Sequence, residues 1–282
     1  MNSAISKMRL AGLLAHVILL TACGGGDGAG GSTGNTGSTG NTQTNVAPNP
    51  APPPNTTTVS PITTFWTFDT VEGASSPAIY APGLQAELSS ASTTSGKFGN
   101  ALKFDASLPA SYAKIQVLSL RGDISTYLSF PSNKISVAMW VNPDSLSTSA
   151  SYHLFGNGFW GTKSFHVSLV NGKVGFDLFN PDNGNNDPIV SSQTTISAGV
   201  WTHIAVTYDG SVAKIYVNGN EDASNRISHS VPNVYNNLFI GGIGDGSAPL
   251  TFPGSIDELF LAAGTFSASQ VSQLVAGYRP DH

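Results

Sequence analysis

From Ile62 onward, apolar residues recur at every second position in short runs, and Gly, Asn, Asp or Pro interrupts these runs about every eight to twelve residues. Alternation of this period places one set of side chains on a single face of an extended strand. Runs so short and so regularly punctuated build antiparallel sheets rather than helices. The strands read this way are 62–68, 101–104, 113–118, 134–142, 165–170, 173–179, 201–208, 212–217, 237–242 and 255–262. Asn171-Gly172 and Asp209-Gly210 each separate two runs and predict tight two-residue hairpins, because a type I′ turn needs positive φ at both central positions. One helix stands out near the C-terminus, where Ser267 and Gln270 have capping-box spacing. Val271, Leu274 and Val275 form its apolar stripe, and Gly277 can end it. One helix after ten strands is an all-β fold.

The N-terminus obeys a different logic. Lys7 and Arg9 precede the apolar stretch "AGLLAHVILLTA", which has signal-peptide length and is too short to span a bilayer. It ends in "LLTAC", and Cys23 is the one cysteine of the chain. This segment resembles the bacterial lipobox, which implies cleavage after residue 22, a lipid and palmitate on Cys23, and attachment to the membrane through that anchor. An ordinary secretory signal with an incidental cysteine is the alternative. Gly24 rather than Asp follows the cysteine, so the resemblance implies the outer membrane rather than inner-membrane retention. Residues 23–61 are rich in Gly, Thr, Asn, Ser and Pro, with a tandem "GSTGNTGSTGNT" at 31–42 and no apolar periodicity. Such a segment cannot bury enough surface to offset its ordering entropy and reads as a disordered tether. Residues 62–282 then form the folded domain. The 12 Lys and Arg, two of them in the leader, face 17 Asp and Glu. That balance gives no electrostatic case for nucleic acid.

Five motifs carry a second resemblance: "SGKFGNALKFD" (95–105), "KISVAMWVNP" (134–143), "WTHIAVTYDGSVAKIYVNG" (201–219), "NLFIGG" (237–242) and "GSIDELFL" (254–261). In this order they are similar to the landmarks of laminin-G-like, concanavalin A-like lectin domains. The resemblance implies an antiparallel two-sheet jelly-roll sandwich with one short C-terminal helix. It also implies a structural Ca²⁺ held by Asp69 and Asp257, with loop carbonyls completing the hard oxygen set. Asp257 capping a neighbouring loop without metal is the equal alternative.

Sandwiches of this kind bind glycans, matrix proteins or metals, and some relatives are glycosidases; fold alone does not choose. Glycosidase chemistry needs two carboxyl groups facing each other across a sugar. The four glutamates, Glu72, Glu87, Glu221 and Glu258, are isolated. Asp257 and Glu258 are neighbours expected on opposite faces of one strand. No Gly-x-Ser-x-Gly or His-Glu-x-x-His motif occurs, so no catalytic residue is assigned and the expected role is non-catalytic. Glycan binding calls for an aromatic platform and short polar side chains. "GNGFWGTKS" (156–164) offers Trp160, Phe159 and Asn157, and "NPDNGNNDP" (180–188) offers Asp182 and Asn185. Either ring could instead close over the core, and the second loop could be a simple turn. Arg121-Gly122-Asp123 is the integrin-recognition tripeptide, which matches by chance often. Trp201 and His203 are assigned to packing. The expected partner is a glycan, with a surface or extracellular protein as the alternative.

Overall fold

Sixteen strands occur among the described residues, which in this computed structural model are 64–79, 81, 84–108, 110–116, 133–157, 164–179, 190–232, 237–243 and 251–279. They form two antiparallel eight-stranded sheets. The first contains β4 (Ser92–Ser95), β5 (Asn100–Phe104), β7 (Ile135–Pro143), β12 (Thr202–Tyr208), β13 (Val212–Val217), β14 (Asn220–Arg226) and β16 (Gly254–Ala262), with β1 (Thr64–Trp66) paired on β16. The second orders β11 (Val190–Thr195), β10 (Lys173–Phe179), β9 (Ser164–Val170), β8 (Ser151–Asn157), β15 (Leu238–Ile240), β6 (Tyr112–Ile115), β3 (Gln85–Ser89) and β2 (Ser75–Pro77). This is the expected jelly-roll sandwich with its one short helix, α1 (Ala268–Val275).

The main core lies between the sheets. Ile204, Val206 and Tyr208 of β12 and Ala213, Ile215 and Val217 of β13 point into it, as does the alternating set Phe165, Val167 and Leu169 of β9. The opposite face of the first sheet is buried as well. Phe65, Ala138, Ala205, Tyr216 and Phe260 form a second cluster, capped by Val271 and Leu274 of α1. Phe65 and Phe260, partners in the β1–β16 register, stack with centroids 4.9 Å apart. β12 is therefore buried along its whole length, with the second sheet on one side and the cluster capped by α1 on the other. The capping box holds α1 in place: the Gln270 backbone N–H donates to Ser267 Oγ and the Ser267 N–H donates to Gln270 Oε1.

Turn chemistry follows the sequence in one place and departs from it in another. Asn171 and Gly172 both take positive φ, as a type I′ hairpin needs. At Asp209-Gly210 the loop is longer: Tyr208 pairs with Ala213. Asp209 Oδ1 accepts the N–H groups of Ser211 and Val212, so an Asx turn replaces the two-residue turn. The second type I′ site is Asn218-Gly219, which joins Val217 to Asn220.

Candidate functional site

Strands β8, β9 and β10 of the second sheet set the stems of the two loops expected to bind ligand beside one another. β8 closes at Asn157, β9 opens at Ser164, and β10 closes at Phe179, directly opposite Ser164 in the register. The segments 158–163 and 180–189 thus leave and re-enter the sheet side by side. Phe159, Trp160, Asp182 and Asn185 lie outside the described residues, as do Cys23 and Arg121-Gly122-Asp123. Asn157 is described, and it does not present itself to solvent. It is buried, and its Oδ1 accepts the Phe165 N–H at 2.8 Å, which closes the stem of the first loop.

Beside these stems the outward face of the second sheet carries three buried polar residues. With Val167 and Phe176 facing the core, His166 and Asp177 face the other way as cross-strand partners. His153 joins them from β8, its ring 5.6 Å from that of His166. His153 Nε2 lies 3.2 Å from the Phe239 carbonyl, and His166 Nε2 lies 3.0 Å from Ser164 Oγ. Burial, and for His153 the adjacent His166, lowers the two pKa values to about 3 and about 4. Both imidazoles are consequently neutral near pH 7 and serve as hydrogen-bonding groups. An acid–base catalyst needs a pKa close to the working pH. Sequence reasoning missed this row because the three residues come from three strands with no shared motif; their common parity across the β9–β10 hairpin was the available signal.

Asp69 and Asp257 belong to a different cluster, on the helix-covered face of the first sheet. A β-bulge between Asp257 and Phe260 breaks the strand alternation, and Glu258 sits in it with φ of 51°. Ile256, Leu259 and Leu261 all reach the main core while Phe260 reaches the second cluster. Asp257 and Glu258 therefore do not take the opposite faces that simple alternation predicts. Arg279, 6% exposed, donates to both carboxylate oxygens of Glu258, and its Nη2 reaches Asp69 Oδ2 at 2.5 Å. Its ionised form is strengthened by the hydrogen bond and charge of Glu258, and then by Asp69, against the opposing effect of burial.

The loop 96–99 presses onto the remaining oxygens. Phe98 N–H donates to Asp257 Oδ2 at 3.0 Å, Glu258 N–H to Asp257 Oδ1 at 2.8 Å, and Asn100 N–H to Asp69 Oδ1 at 2.8 Å. Glycine is required at two points of this approach: a Cβ at Gly96 would lie 2.5 Å from Asp257 Oδ2, and one at Gly99 1.8 Å from Asp69 Oδ1. Burial and the charge of Glu258 raise the Asp257 pKa to about 8, despite the two N–H donors. This arrangement does not fit a calcium ion bridging Asp69 and Asp257. Each carboxylate oxygen already faces an N–H donor, and the cation between Asp69 and Glu258 is a guanidinium. Among the described residues no group of three or more His, Cys, Asp or Glu side chains could hold a metal.

Comparison with known proteins agrees with this architecture. Residues 121–272, more than half of the chain, match the laminin-G model described as the concanavalin A-like lectin/glucanases superfamily. The chain belongs to this family. No curated protein sequence matches this lectin-like chain. Among solved structures, the binding domain of Paraclostridial Mosquitocidal Protein 1 superposes with a TM-score of 0.59 and 14% identity, covering 76% of this chain and 51% of that one. Domain 4 of AbnA, an extracellular arabinanase from Geobacillus stearothermophilus solved with arabinotriose, gives 0.56 and 22%, covering 76% and 98%. A Trypanosoma rangeli sialidase gives 0.56 and 16%, covering 76% and 32%. The lectin-like chain thus spans about half of the first of these proteins and a third of the last. Identities this low establish a shared fold.

Proposed function

We propose that this lectin-like domain is a non-catalytic glycan-binding module, held at the outer membrane by a lipid on Cys23 and displayed on the tether of residues 23–61. The observation that carries the reading is the Ser164–Phe179 pairing, which sets the stems of the Phe159-Trp160 loop and the Asp182/Asn185 loop side by side. One loop supplies an aromatic platform and the other supplies short polar groups for sugar hydroxyls, the combination a sugar site needs. Its relative in the arabinanase, solved with arabinotriose, supports the reading at the level of fold. The buried row of His153, His166 and Asp177 lies next to these stems.

Glycan-array binding by the full mature protein tests the proposal. Saturable binding to one sugar class, lost in Trp160→Ala without a change in unfolding midpoint, supports it. A blank array from folded protein refutes it and points to a protein partner. The anchor has its own test: labelled palmitate enters the wild-type chain in the host and fails to enter Cys23→Ser.

A further inference from the structure

A cavity of about 420 Å³ opens on the edge of the first sheet, walled by the β3–β4 turn, the β5–β6 loop, the end of β7 and the start of β16. It lies toward the His153 end of β8, since Thr251, two residues before the lining Pro253, bridges to His153. The loops after Asn157 and Phe179 leave from the other end.

Its walls are tied together before any ligand arrives. Ser111, fully buried, accepts the Asp105 N–H at 3.0 Å and donates to the Ser90 carbonyl at 3.1 Å, joining two walls through one hydroxyl. Asp144 N–H donates to the Pro253 carbonyl at 2.8 Å and joins the other two. The Asp105 carboxylate is aimed by the Ser107 N–H, which donates to Oδ1 at 2.8 Å. Lys103 and Asp144, both lining the cavity, form an ion pair with part-exposed side chains. Leu108, 40% exposed, stands on the rim as one of two large apolar side chains exposed among the described residues.

We propose that this cavity is a second ligand site, and that it takes a neutral sugar ring. Its volume falls within the range of small-molecule sites, roughly 300–1,000 Å³. Carboxylates of Asp105 and Asp144 accept from hydroxyls, the Lys103 ammonium donates, and the Ser92 hydroxyl does either. Leu108 offers an apolar surface to the C–H face of a ring. Lys103 and Asp144 cancel in charge and Asp105 remains, which disfavours anionic sugars such as sialic acid. The preformed walls lower the ordering cost of binding.

The test is calorimetric titration of the full mature protein with D-glucose, D-galactose, D-mannose, L-arabinose and N-acetylneuraminic acid, using wild type, Asp105→Asn, Lys103→Met and Trp160→Ala. Asp105→Asn keeps an acceptor for the Ser107 N–H, so the loop survives, and thermal melts check this. Millimolar binding of one neutral sugar that weakens at least tenfold in Asp105→Asn and Lys103→Met but persists in Trp160→Ala supports the proposal. Binding that vanishes in Trp160→Ala and is unchanged in Asp105→Asn overturns it while leaving the loop site intact. No neutral-sugar binding, or preference for N-acetylneuraminic acid, also overturns it; the array result on longer glycans then judges the loop site separately.

Discussion

Replacing His203 with leucine should flatten the acid limb of the stability profile. His203 lies on β12, fully buried with its ring 5.3 Å from that of Trp140, and neither ring nitrogen has a hydrogen-bond partner. Burial lowers its pKa to about 3, against about 6.5 in an unfolded chain. A folded pKa below the unfolded one means that stability is complete above the unfolded value and is lost as pH falls toward the folded value. Between pH 7.5 and pH 5 the unfolded chain takes up nearly one proton that the folded protein refuses, costing about 2 kcal/mol at roughly 1.36 kcal/mol per unit. For a domain of this size that is about 4–8 °C in midpoint. Asp257, raised to about 8, works in the opposite direction, because its ionised form is the one that folding disfavours. The two sites are two strands apart, about 10 Å, so subtracting the variant's profile from the wild type's removes the Asp257 contribution. At pH 7.5 the variant should lie within about 1 kcal/mol of wild type, since losing the Trp140 edge contact offsets removal of the two unpartnered nitrogens. Urea unfolding at half-unit pH steps reads the difference. Parallel wild-type and His203→Leu curves from pH 7.5 to 5 would refute the assignment of a neutral, desolvated imidazole.

Three further outcomes follow from the carboxylate cluster. Arg279→Met should destabilise the domain by about 3–5 kcal/mol in urea, because Glu258 and Asp69 lose their shared cation while Glu258 stays buried. Gly99→Ala should cost at least about 1 kcal/mol in the same assay, from positive φ and from a methyl placed on Asp69 Oδ1. Adding millimolar Ca²⁺ or EDTA should leave the wild-type melting midpoint unchanged; a rise with Ca²⁺ that EDTA reverses would show that the guanidinium does not replace the metal.

The sequence displayed what the sandwich interior demands. Each of the ten strands read from alternation overlaps a strand of the fold, and nearly all lie where a sheet face meets apolar neighbours. The strands that escaped notice are of two kinds. β2, β4, β11 and β14 are the outermost strands of the two sheets and largely polar, with β4 and β14 mostly exposed, because an edge strand can solvate both faces; β3, next to β2, shares that polar character. β8 is apolar enough, but the bulge between His153 and Phe155 shifts its parity partway along. The same physics misled the reading of Asp257-Glu258: alternation is a property of an unbulged ladder, and the extra residue at Glu258 sets both carboxylates on the Arg279 side.

Sites were less legible than strands because side chains meet across distances that local pattern does not encode. Arg279 and Asp69 are 210 residues apart in the chain, and no periodicity in either neighbourhood announces the pair. His153, His166 and Asp177 converge through two registers, each decided by core packing on the opposite face. That dependence shows where new chemistry can sit in this fold. The middle of the first sheet is covered on both sides, by the second sheet and by the cluster that α1 caps, so polar residues buried there are drawn into structural pairs or left unpartnered, as Glu258 with Arg279 and His203 show. The two proposed sites accordingly lie at rims where strands end: the stems at Asn157 and Phe179, and the cavity beside Asp105.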